Sequence, residues 1–135
     1  MAEDNMNTEP VPAPRWFIDL DWYRQNARSF PTLVRDCLCP RCRERLEKGR
    51  LSEAKLVASL RDCCSQAPDF ISGELPILTG VFRILLAGGN EPLELTEISR
   101  RLGERLGGEG YRASVEVLSR LLKDEHYYGI RPAPD

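Results

Sequence analysis

Histidine occurs once in this 135-residue chain, as His126 near the C-terminus, and no glycine-rich phosphate loop is present. These two shortages remove most of the residue constellations on which acid–base or phosphoryl chemistry is built. Gly88-Gly89 and Gly107-Gly108 each follow an apolar helical period, where helix capping explains them. The carboxylate pair Asp19 and Asp21 is explained the same way, at a helix start. No enzymatic activity is expected. A long apolar run is missing too. The longest stretch, around Val81 to Ala87, is broken by Arg83 and falls short of the about 20 residues of a membrane span. Residues 1–14 are acidic and rich in proline, without a basic-then-apolar leader, so a cytoplasmic protein with no membrane partner is expected. Charge of one sign is not in excess either: the net charge is −2, whereas a domain devoted to non-specific nucleic-acid binding is clearly basic.

The charges are unevenly placed. Residues 1–14 carry three acids and no base, as expected of a disordered or polyproline-like tail. Residues 15–50 carry nine Lys/Arg against five Asp/Glu, and the chain from 51 to 135 is slightly acidic. The basic portion is also where the cysteines begin. There are five, an odd number in a chain expected to meet a reducing compartment, so metal ligation or free thiols fit better than disulfides.

Cys39-Pro40-Arg41-Cys42 is a C-P-x-C turn, which lets two thiolates grip one ion. Zinc takes four ligands in a tetrahedron, so a turn of this kind is half a site. The other half is expected from Cys63-Cys64, about twenty residues further on at a helix end, a separation usual for zinc folds. Adjacent cysteines diverge by about 100° in a regular helix, so the pair has to lie where the helix frays. Cys37 is the competing ligand: in an extended segment it points to the same side as Cys39 and could replace Cys63 or Cys64. Free, buried thiols that behave as small hydrophobes are the alternative reading, which suits Cys37 better than Cys39 and Cys42. An iron–sulfur cluster is an alternative to zinc on the same residues. Four thiolates leave no position for a substrate, so the expected Zn2+ is structural and holds together a segment too small for its own core. C-P-x-C also occurs in thiol oxidoreductases, but there it follows a strand of an α/β fold, and no such strand pattern precedes it here.

The remaining pattern is helical. Trp16 to Tyr23 concentrates aromatics expected in the core, with Asp19 or Asp21 capping a short helix. Ser29 with Pro31 starts another, and Ser52 caps a helix running to Cys64 with Leu56, Val57 and Leu60 on its buried face. After Pro68 the periodicity gives a helix from Pro76 with Leu78, Val81, Phe82 and Leu85, stopped by Gly88-Gly89-Asn90. A very short strand at Leu93–Leu95 follows. Then come a helix capped by Thr96 with Ile98, Leu102 and Leu106, and one capped by Ser114 with Val115, Leu118, Leu121 and Leu122. An extended Tyr127–Arg131 ends the pattern. The expected fold is mainly α: a tail (1–14), a zinc-stabilised helical segment (15–74) and a second domain (75–135) packed on it.

Helix, strand, helix, turn, helix and extended tail, with Leu95-Thr96-Glu97-Ile98-Ser99-Arg100-Arg101-Leu102 as its strand and second helix, resembles the winged helix-turn-helix superfamily over residues 75–131. Two features depart from that pattern. The turn from Gly107 to Arg112 is long, and the chain ends soon after Arg131, leaving a two-stranded wing incomplete. The resemblance implies double-stranded DNA as partner and a role in transcription regulation, with the third helix in the major groove. The face opposite Val115, Val117, Leu118, Leu121 and Leu122 carries Arg112, Ser119, Arg120 and Lys123 as candidate phosphate and base contacts, with Glu116 opposing them. The basic residues Arg41, Arg43, Arg45, Lys48 and Arg50 are a second candidate source of phosphate contacts. Winged helices also serve as protein-interaction modules, so a protein partner or homodimer without nucleic-acid contact is the alternative.

Overall fold

A computed structural model describes residues 13–47 and 52–134. Most of the expected tail, as well as Lys48 and Arg50, lies outside the described residues.

The chain enters through a strand. Trp16, Phe17 and Ile18 favour extended backbone, and β1 (Arg15–Ile18) occupies the middle of a three-stranded antiparallel sheet. On one side it pairs with β2 (Leu93–Glu94), Trp16 opposite Leu93; on the other it pairs with β3 (Ile130–Pro132), Ile18 opposite Ile130. Asn90, in the left-handed region at φ 63°, extends this pairing. Its Oδ1 accepts the N–H of Ile18 at 2.8 Å, and its Nδ2 donates to the Ile18 carbonyl at 2.9 Å.

Short capped helices follow. Asp19 caps α1 (Leu20–Gln25), its side chain accepting the Asp21 N–H, and Ser29 caps α2 (Phe30–Arg35) by accepting from Thr32. Pro40 opens α3 (Pro40–Glu47), Ser52 caps α4 (Glu53–Asp62), and a 3-10 turn covers Cys64–Gln66. The second half contains α5 (Ile77–Ala87), α6 (Leu95–Leu106), a 3-10 stretch (Gly107–Ala113) and α7 (Val115–Lys123), capped by Ser114. Several details differ from the sequence-based expectation: Arg15–Ile18 is a strand where none was read, and α4 ends at Asp62, short of Cys64. Thr96 lies inside the first turn of α6, which begins at Leu95. The charged stretch after Cys42 is helical, because Pro40 supplies a fixed φ at the first helical position.

The molecule is mainly helical, and its buried residues form one cluster running through both halves. Trp22, Tyr23, Phe30 and Val34 meet Val81, Phe82, Leu118 and Ile130 in it. Of the aromatics from Trp16 to Tyr23 expected in the core, Trp22 and Tyr23 are buried and Trp16 and Phe17 are half-buried. Trp22 packs edge to face on Tyr23, Tyr23 on Phe30 and Phe30 on Phe82, with ring centroids 5.2–6.4 Å apart.

Between α7 and β3 the chain turns around one buried carboxylate. Glu125, 2% exposed, accepts from the N–H groups of Tyr127 and Tyr128 with one oxygen and from Ile130 N–H at 2.8 Å with the other. Gly129 completes the turn at φ 68°, where a Cβ would stand 2.7 Å from Trp22. Glu125→Ala removes the acceptor of one buried and two partly buried N–H groups and is expected to destabilise the fold by about 2–4 kcal/mol. Urea unfolding followed by tryptophan fluorescence measures this; a loss below about 0.5 kcal/mol contradicts the assigned role.

Candidate metal centre

Two helix ends and two turns bring the sulfurs together. Cys39 is the residue before α3, and Cys42 lies in its first turn. At the other side α4 stops at Asp62, and Cys63 leaves the helix at φ −125°, ψ −62°. That break removes the divergence of a regular helix, and Cys64 opens the 3-10 turn with its side chain towards Cys39. Ligand atoms from Cys39, Cys42, Cys63 and Cys64 all lie within 4.8 Å of one another. The Sγ atoms of Cys39 and Cys64 are 3.5 Å apart, and the Cys39 N–H donates to Cys64 Sγ at 3.2 Å. Cys42 and Cys64 are buried in the core, while Cys39 and Cys63 are half-buried at its edge.

These are the four residues expected from the sequence. Cys37 is outside the group. It lies in the turn that ends α2, its N–H bonded to the Val34 carbonyl, so the extended geometry that made it a competitor is absent. Its buried thiol donates to the Leu33 carbonyl at 3.4 Å, and burial pushes its pKa up to about 11.

Cys39, Cys42 and Cys64 differ in their hold on protons. The backbone N–H of Cys42 stabilises the Cys39 thiolate and holds its pKa down at about 7. Burial pushes Cys42 up to about 12 and raises Cys64. At neutral pH both buried thiols therefore carry protons unless a cation displaces them. Two guanidiniums stand at the rim: Arg41 Nη2 is 3.9 Å from Cys63 Sγ, and Arg45 Nη2 is 3.7 Å from Cys42 Sγ. Sequence reasoning missed this role for the two arginines. The spacing of Cys42 and Arg45, three apart on one helix face, carries the signal once the stretch is read as helix.

The expected nucleic-acid residues separate into two groups. Ser119, Arg120 and Lys123 are exposed along α7, together with Glu116. Arg112 precedes that helix and is engaged, donating to the Gly73 carbonyl at 2.6 Å and to Glu109 at 3.3 Å. Arg43 turns back to donate to the carbonyls of Arg35 and Asp36. His126 is exposed.

Compared with known proteins, the chain matches no protein-family model, no curated protein and no solved structure.

The arrangement makes two checkable predictions. Cys42→Ser abolishes metal retention, whereas Cys37→Ser retains it, as measured by metal content after gel filtration; equal loss in both contradicts the four-residue assignment. Metal binding also has to expel the protons of Cys42 and Cys64. Affinity is expected to fall by at least about a hundredfold per unit of pH below 7, the slope of two released protons. Competition titrations between pH 6 and 7 test the sign, and an affinity independent of pH contradicts it.

Proposed function

We propose that the chain is a zinc-containing winged-helix protein that binds double-stranded DNA in transcription regulation, with Cys39, Cys42, Cys63 and Cys64 holding a structural Zn2+. The observation that carries the metal reading is the mutual spacing of the four sulfurs. A tetrahedral ion with Zn–S bonds of about 2.3 Å places sulfurs ~3.8 Å apart; here all four ligand atoms lie within 4.8 Å of one another. An iron–sulfur cluster inserts several irons and bridging sulfides between its cysteines and demands a wider cradle. A single ion suits this one, and four thiolates suit zinc.

The DNA reading is supported by the element order α5, β2, α6, α7, β3. In a winged helix a small antiparallel sheet backs three helices, and here β1 is the middle strand of a sheet whose other strands, β2 and β3, come from this segment. The helix α7 then corresponds to the recognition helix and presents Ser119, Arg120 and Lys123 to solvent. A second reading, a protein-interaction or assembly subunit, is favoured by Glu116 beside these cations and by the engagement of Arg112.

Mobility-shift titrations with random duplex over a salt series separate the two. Salt-sensitive binding is expected at low ionic strength, and Arg120→Ala and Lys123→Ala should each lower the slope of log K against log [salt] by about 1. Absence of any salt-sensitive binding sinks the DNA reading and leaves the assembly reading, which predicts a self-associated or partner-bound species on sizing.

A further inference from the structure

We infer that Arg41 and Arg45 are positioning residues for the metal centre, neutralising its thiolates and slowing the loss of the ion. The inference rests on the zinc reading above and adds a role for two arginines otherwise available as phosphate contacts.

One Zn2+ with four thiolates carries a formal charge of −2, placed where two of the four sulfurs belong to buried residues. Burying net charge is costly unless it is paired or hydrogen-bonded. Backbone donors meet part of that need, the Cys39 N–H on Cys64 and the Cys42 N–H on Cys39. The remainder is met by side chains. The guanidinium of Arg41 reaches Cys63 and that of Arg45 reaches Cys42, so each cation serves a different sulfur on a different ligand pair. Two positive charges bring the formal total to zero.

Local structure explains why these two arginines are placed this way. Arg41 stands between the two cysteines of the turn, where the start of α3 turns it towards Cys63 at the end of α4. Arg45 is one helical turn beyond Cys42 on the same face of α3. Arg43, between them, points elsewhere and binds carbonyls at the end of α2. Among Arg41, Arg43 and Arg45, the two whose side chains face the thiolates are those spaced by four, a helical period and not the even spread of a phosphate-binding surface.

Partners of this kind around a metal site typically change affinity by about 10–100-fold when removed. Both arginines are exposed, so screening by solvent and salt places the effect at the lower end.

The experiment loads the full-length protein with zinc, adds excess EDTA and follows release of the ion, comparing wild type with Arg41→Ala/Arg45→Ala. Release is expected to be about tenfold faster in the variant, with Arg41→Lys/Arg45→Lys recovering part of the difference because the charge is retained. Added NaCl should accelerate release from wild type and have little effect on the alanine variant, a response that a purely structural role does not produce. Cobalt loading checks that every variant keeps four thiolate ligands, through its charge-transfer bands. Equal release rates and equal salt responses overturn the inference. So does unchanged release accompanied by weakened DNA binding, which assigns the arginines to phosphate contact instead. Failure of wild type to hold zinc at all overturns the metal reading together with this one, and that outcome is visible before any variant is made.

Discussion

Four sulfurs converging from the start of α3 and the end of α4 are the constraint on which the first half of the molecule depends. The two helices have eight and ten residues, lengths at which an isolated helix is marginal in water. Apolar packing reaches them through Leu56 and Leu60 on α4 and through Cys42 and Cys64 themselves, which belong to the core cluster. If the four thiols stayed protonated, that cluster would contain weakly interacting polar hydrogens at its edge. On the proposed reading, one cation would turn them into ligands and tie the helix ends to a point. Burial makes Cys42 and Cys64 reluctant to ionise, so on that reading a cation has to displace their protons.

The second constraint is the position of β1. A two-residue strand and a three-residue strand, β2 and β3, cannot form a sheet of their own. With β1 between them the sheet closes, and Asn90 and Glu125 satisfy backbone groups at its ends. The outer edge of β3 is blunted at the same time: Pro132 has no N–H, and the Ile130 N–H is held by Glu125, which discourages pairing with another chain. The N-terminal segment therefore reaches into the C-terminal half, and the cysteine-bearing helices share one core with α5, α6 and α7.

The sequence revealed most of what is local. Asp19, Ser29, Ser52 and Ser114 cap the helices they were expected to cap, because a cap is decided within four residues by one side-chain oxygen. Gly88-Gly89-Asn90 ends α5 for the same kind of reason. Cys39, Cys42, Cys63 and Cys64 were legible by spacing alone, and the fraying that the adjacent pair requires is present at Cys63. What was not legible depends on distant partners. Trp16-Phe17-Ile18 is too short for its alternation to be read, and its extended state is set by β2 and β3, far along the chain. Arg112 looked free on a helical projection, yet the carbonyl of Gly73 takes it. Arg41 and Arg45 were candidate phosphate contacts until a helix beginning at Pro40 turned them towards the sulfurs.

The exposed face of α7 and the four-cysteine cluster are separate features of one scaffold, and on the proposed reading the ion acts on the scaffold. X-ray absorption at the metal edge, on protein purified without added metal, tests this most directly. The account predicts a zinc edge with four sulfur neighbours at about 2.3 Å and no nitrogen or oxygen in the shell. A sample without bound metal, a shell of mixed light atoms, or iron with iron neighbours would contradict it.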